Sequence, residues 1–199
     1  MKFSAITSAL LVAGASAAAV PAKLQARQDS GSYNIPGLGA RKQQVTAAGA
    51  NSFDLAIAML ETDNMDTNVS THPSSTGLYV YGDNKVDDAA NFGIFKQNWG
   101  MLRVCCDSFK GQPLSDWNNG ALLNSDLEAD VHCLKQCQSH YGLRTWLAGH
   151  RWGETGFNDP NTEDINNYIS GVEHIEQQLL TQPDAMTNDN RYYIYVVPV

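Results

Sequence analysis

Basic side chains are scarce in this 199-residue chain, where 13 Lys and Arg stand against 21 Asp and Glu for a formal net charge of -8. Nucleic acid, which draws its affinity for proteins from Lys and Arg, is therefore not an expected partner. Long apolar runs are missing too. The one candidate, Phe3 to Val12, is too short to span a bilayer, so no membrane association is expected. It follows Met1-Lys2 and leads into the small residues Ala13 to Ala19, which is the layout of a signal peptide. The expected division is a signal peptide over 1–19, a pro-segment trimmed as far as 27 at Arg27-Gln28, and one secreted domain over 28–199. Removing 1–27 takes away Lys2, Lys23 and Arg27 but no acid, leaving 10 basic residues against 21 acidic, or -11. A surface this acidic repels anionic polymers and is indifferent to a neutral polysaccharide.

Several catalytic signatures are also absent. There is no Gly-x-Ser-x-Gly elbow, no His-Glu-x-x-His, no phosphate-cradling glycine loop and no lone cysteine to act as nucleophile. Neither internal repeats nor low-complexity tracts occur. The cysteines number four, an even set that a secreted chain oxidises. A bond between the adjacent Cys105 and Cys106 is strained, so two bridges are expected to join that pair to Cys133 and Cys137, in either pairing. A metal site at His132, Cys133 and Cys137 would need free thiolates, which the oxidising compartment disfavours. No metal and no cofactor are expected.

What is present reads as helices separated by glycine-rich loops. Residues 28–45 look like an extended lead-in. Helices are expected at about 52–60 with Asn51 or Ser52 as cap, 91–102, 125–141 ending at Gly142, and 162–180, with a short apolar segment over 145–148 stopping at Gly149. A hairpin is expected around Gly82-Asp83-Asn84, with Asp87 and Asp88 capping the helix that follows, and a strand at 192–197.

With the other chemistries excluded, carboxylates remain. Glycoside hydrolysis needs two, one protonated to serve the leaving oxygen and one ionised to activate the attacking group. Glu61 follows Ala58-Met59-Leu60, an apolar neighbourhood expected to raise its pKa, whereas Asp83 lies beside Lys85 and turn amides that favour its ionised form. The bland reading makes Glu61 a surface residue at a helix end and Asp83 a turn former. Glu154, in the Gly-broken stretch from Gly149 to Gly156, is the reserve candidate. Trp99, Trp152, Tyr81 and Trp117 are candidates for stacking on sugar rings, Trp146 reads as core, and Asn91, Gln97 and Asn98 could bond hydroxyls.

The stretches Glu61-Thr62-Asp63-Asn64-Met65-Asp66-Thr67, Tyr81-Gly82-Asp83-Asn84-Lys85 and Asp88 to Trp99 resemble glycoside hydrolase family 134, β-1,4-mannanases with a lysozyme-like fold, and the likeness continues through Ala148-Gly149-His150-Arg151. The resemblance implies a mainly α, α+β lysozyme-like single domain and an inverting endo-β-1,4-mannanase acting on unbranched mannan. It implies Glu61 as general acid and Asp83 as general base. Lys85, Asn91, Gln97, Asn98, Trp99, His150, Arg151 and Trp152 are then expected at the substrate. The chain departs from the family pattern over 69–78, an additional segment between the two acids that also creates the sequon Asn68-Val69-Ser70, a glycosylation candidate. A secreted monomer, of a kind suited to a filamentous fungus, is expected. The rival readings are a lysozyme-like hydrolase of another glycan such as chitosan or peptidoglycan, and a secreted carbohydrate-binding or effector protein without catalysis.

Overall fold

The computed structural model describes residues 29–67 and 81–197. Residues 1–28, over which a signal peptide and pro-segment are expected, Asn68 and the segment 69–78 lie outside the described residues. The architecture is mainly helical α+β, as expected, in the order β1 (Ser30–Asn34), α1 (Leu38–Ala47), α2 (Ser52–Glu61), β2 (Asn91–Phe92), β3 (Gln97–Asn98), α3 (Trp99–Cys105), α4 (Leu122–Ser125), α5 (Leu127–Tyr141), α6 (Leu143–Asn158), α7 (Glu163–Thr181) and β4 (Asn190–Ile194). Short 3-10 turns at Tyr81–Asn84, Asp87–Ala89 and Leu114–Ala121 link them.

Helix α2 starts at a capping box: Asn51 accepts from the Asp54 amide, and the Asp54 side chain accepts from the Asn51 amide. Its Leu55, Ala56, Ile57, Ala58 and Met59 are wholly buried, and α7 supplies most of the packing partner. Burying side chains of this size contributes about 1.5–3 kcal/mol for each of the larger ones. Helix α7 presents Ile165, Tyr168, Ile169, Val172, Ile175 and Leu179 to the core from a Thr162 cap, matching the helical period read from the sequence. Helix α5 likewise begins at the Asp126 cap and ends at Gly142.

Several expectations fail for physical reasons. The lead-in over 28–45 is not extended throughout, because β1 pairs antiparallel with β4 and α1 follows it. Helix α1 lacks a side-chain cap of its own. The Asp189 carboxylate, some 150 positions away, accepts from the Gly37 and Gly39 amides instead, and the buried Lys42 ammonium donates to the carbonyls of Ala185, Asn188 and Asn190. The helix expected over 91–102 is a hairpin, β2 against β3, followed by α3. Phe92, Phe95, Trp99 and Leu102 are buried all the same. Gly93 is the reason: its φ of 75° reverses the chain, and a Cβ there would lie 2.0 Å from Asp130 Oδ1. Gly82-Asp83-Asn84 belong to a 3-10 turn, and Leu78 to Val80, the expected first arm of a hairpin there, lie outside the described residues. Asp87 and Asp88 do not cap a helix; Asp88 receives two bonds from Arg103, at 2.6 and 2.8 Å. Helix α6 passes straight through Gly149 and breaks only at Gly153, where φ is 54°.

Two disulfides clamp α3 to α5, Cys105 to Cys137 and Cys106 to Cys133, with Cα separations of 4.8 and 4.9 Å. Because Cys133 and Cys137 are one helical turn apart on α5, they face the two consecutive residues at the end of α3, which selects one of the two pairings left open by the sequence. Replacing Cys106 and Cys133 by Ser opens the bridge that closes a span of 27 residues, and a loss of about 3 kcal/mol in urea unfolding is expected. An unchanged midpoint would show that this bridge adds nothing to the packing of α3 on α5.

Candidate active site

Glu61 is the last residue of α2, so the rigid buried helix carries its carboxyl to the edge of the core. There its Oε1 accepts from the Tyr168 hydroxyl at 2.6 Å and lies 3.1 Å from His150 Nε2. Tyr168 comes from α7 and His150 from α6, so three helices converge on one oxygen. Burial pushes the Glu61 carboxyl upward, but the electrostatic influence of the His150 ring, the hydrogen bonds from His150 and Tyr168, and the Lys96 ammonium outweigh it and hold the carboxyl below its ordinary value. The expectation that an apolar wall raises the Glu61 pKa is thus overturned by polar neighbours the sequence did not place there. Burial first, then the nearby Glu61 charge, raises the Tyr168 hydroxyl well above the usual phenol range. It therefore remains an O–H donor.

Asp83 sits in a run of left-handed residues: Gly82 has φ 63°, Asp83 57° and Asn84 60°. Asp and Asn are the non-glycine residues that tolerate this region best. Trp117 packs behind the turn, its ring 3.1 Å from where a Gly82 Cβ would stand. The Asp83 carboxylate pairs with Lys96 Nζ at 2.5 Å. Lys85, proposed as its partner from sequence proximity, is exposed at the rim of the cleft instead.

Lys96 is aimed by a second buried acid. Asp130, on α5 and fully buried, accepts from the Ile94 amide at 2.7 Å and from Gln97 Nε2 at 2.7 Å. Asn124 Oδ1 accepts from the Gly93 amide. These bonds hold the β2–β3 turn on which Lys96 stands.

Glu61 and Asp83 line one cleft of about 1190 Å³ together with Lys85, Asn91, Asn98, His150, Arg151 and Trp152. Glu154 stands on its rim. Asn91 and Asn98 are paired across the hairpin and both reach the cleft. Gln97, the next position, faces the opposite side because successive strand residues alternate, and it is spent on Asp130. Trp99 is also absent from the cleft: it is wholly buried and packs edge-on against Phe109. The expectation of Gln97 and Trp99 at the substrate is corrected accordingly. Trp146 is core, as expected, and stacks on His150 at 5.0 Å. The indole of Trp152 is 45% exposed while its N–H is tied to Asp164 at 2.7 Å. Two bonds from Arg151 to Asp164, at 2.8 and 2.9 Å, brace the same carboxylate. These Arg151 bonds, and secondarily the Trp152 bond, hold the Asp164 carboxyl below its ordinary value.

Tyr168, Lys96 and Asp130 escaped the sequence reading. A phenol inside the apolar stripe of α7 was the available signal, since a buried Tyr hydroxyl must find a partner. Lys96 and Asp130 carried none, because their proximity to the site arises from the hairpin and α5.

A family model described as glycosyl hydrolase family 134 matches residues 39–196 of the chain. No curated protein matches it.

The Asp130 environment generates a pH prediction. Burial raises its carboxyl to about 8, against the lowering hydrogen bonds from Gln97 and Ile94, whereas in the unfolded chain it titrates near ~4. Between about 4 and about 8 the folded chain therefore binds the extra proton, and this group's contribution to stability falls as pH rises. Asp130→Asn removes that slope. Thermal melts at intervals across this window should show the variant gaining on the wild type as pH rises; a difference independent of pH would refute the buried neutral acid.

Proposed function

Because the chain belongs to glycosyl hydrolase family 134, we propose that it is a secreted endo-β-1,4-mannanase that cleaves unbranched mannan with inversion, Glu61 serving as general acid and Asp83 as general base. Family membership makes it a glycoside hydrolase acting on a polysaccharide. The observation that supports the finer reading is that Glu61 and Asp83 line one large cleft in which Asp88 is paired with Arg103 and Asp63 with Arg191, while Glu154 stands on the rim.

Each acid has one oxygen engaged and one without a hydrogen-bond partner among the described residues. Glu61 Oε1 is occupied by Tyr168 and His150, so Oε2 carries the proton delivered to the glycosidic oxygen. Asp83 Oδ1 is paired with Lys96, so Oδ2 accepts a proton from the water that attacks the anomeric carbon. The C–O bond breaks as the new one forms on the opposite face, and the two acids exchange protonation states with solvent before the next turnover. Asn91 supplies an amide donor and acceptor for sugar hydroxyls, whereas Asn98 lines the cleft with its Oδ1 already accepting from the Met101 amide at the start of α3, and the exposed face of Trp152 offers a stacking platform whose angle is set by Asp164. The acidic surface suits an uncharged polymer.

Reducing-end release from linear β-1,4-mannan tests this directly. Glu61→Gln and Asp83→Asn should each lose about 100- to 10,000-fold in kcat, and Asn is chosen at position 83 because it accepts the left-handed backbone. The first anomer seen by NMR should be α. A folded wild type that binds mannan without releasing sugar would make the chain a binding protein, and retained activity in Asp83→Asn would move the base elsewhere. Trp152→Ala should raise KM more than it lowers kcat, the pattern of a lost binding contact; unchanged KM would remove Trp152 from the binding surface.

A further inference from the structure

His150 lies in the cleft, yet its surroundings suit a different task from holding sugar. Its ring is stacked nearly parallel on Trp146, 5.0 Å away with an interplanar angle of 5°, and its side chain is only 6% exposed. Nε2 faces Glu61 Oε1 at 3.1 Å. Nδ1 is buried with no hydrogen-bond partner among the described residues.

That orphaned nitrogen decides the protonation of the ring. With the proton on Nδ1, a buried donor would go unmet and the Nε2 lone pair would oppose the lone pairs of Glu61 Oε1. An imidazolium would leave the same donor unmet. With the proton on Nε2, Nδ1 is a bare acceptor, which buried sites tolerate better than an unpaired donor. Nε2–H then points at Glu61. The groups facing Glu61 from each packed element are His150 on α6, Tyr168 on α7 and Lys96 on the β2–β3 turn, with the Arg151 guanidinium behind, over the Tyr168 ring at 5.5 Å. Of these, Tyr168 and His150 reach the same carboxyl oxygen.

We propose that His150 is a positioning residue, a neutral imidazole that donates from Nε2 to Glu61 Oε1 and, with Tyr168, confines the transferable proton of Glu61 to Oε2. Two consequences follow. The acid proton has one location, facing the cleft. The carboxylate left after proton transfer meets two donors already in place, which makes Glu61 a stronger acid without any movement in the transition state. With a neutral ring, the part that His150 plays in lowering the affinity of Glu61 for its proton is a hydrogen bond rather than a positive charge, beside the ammonium of Lys96.

The catalytic part of this inference rests on Glu61 being the general acid, but its test does not depend on activity. In protein labelled with 13C at the Glu side-chain carboxyls, the Glu61 resonance, assigned by its absence in Glu61→Gln, is titrated in the wild type, His150→Gln and His150→Phe, with circular dichroism to establish that each is folded. Gln places a neutral donor near the position of Nε2, and Phe keeps the stacking on Trp146 but has no donor. Titration of Glu61 should move to higher pH in His150→Phe and return toward the wild type in His150→Gln. If His150→Gln is displaced as far as His150→Phe, the ring acts by charge and the proposal is overturned; it is equally overturned if neither variant moves. Tyr168→Phe, which retains the ring and removes only the hydroxyl, should shift the titration in the same direction and keeps the test open should the His150 variants fail to fold. On mannan, the basic limb of kcat/KM should move with the titration. A titration that shifts while the limb does not would leave the hydrogen-bond arrangement standing and remove Glu61 from the role of acid.

Discussion

Helix α2 runs from its capping box at Asn51 into an interior where Leu55 to Met59 have no exposure to solvent, so every face of it must be covered by another element. Helix α7 covers one side, α1 and the β1–β4 ribbon others. The helix then ends at Glu61, at the rim of what covers it. A carboxyl at the end of a fully packed helix cannot wander. Its surroundings are therefore set by whichever helices close the same end, and these are α6 and α7, bringing His150 and Tyr168.

The second acid is fixed by other means. Asp83 belongs to a turn with three successive left-handed residues, a conformation that persists only where its surroundings enforce it. Trp117 behind Gly82 and Lys96 against the carboxylate provide that enforcement. Lys96 in turn depends on the β2–β3 turn, held by Asp130 from α5. The disulfides that bind α3 to α5 thus lie beneath one acid, while the α2–α7 packing lies beneath the other. The cleft is the seam between these two supports, which is where a polymer can lie across both acids.

The two carboxylates are held by different partners. Glu61 is nearly enclosed and receives uncharged donors at one oxygen; Asp83 is paired with an ammonium. Burial alone would have given Glu61 a higher pKa; the polar groups around it, His150 first, then Tyr168 and Lys96, outweigh the exclusion of water.

Much was legible in the sequence because it was local or covalent. The cap at Asn51, the helical stripes of α5 and α7, the absence of rival catalytic motifs and the nomination of Glu61 and Asp83 all depend on residues within a few positions of one another. The failures involve partners far apart in the chain. Helix α1 is capped by Asp189, the stretch after Asn91 turns at Gly93 because Asp130 and Asn124 bind its amides, Gln97 and Trp99 point inward, and Lys96 rather than Lys85 reaches Asp83. An amphipathic period records that a side chain is buried, but not whether helix or hairpin buries it. Nor does it record which distant donor meets a carboxyl: residue types and short spacings named the two acids, and only the packing of elements 89 and 107 positions further along the chain decided which groups surround Glu61.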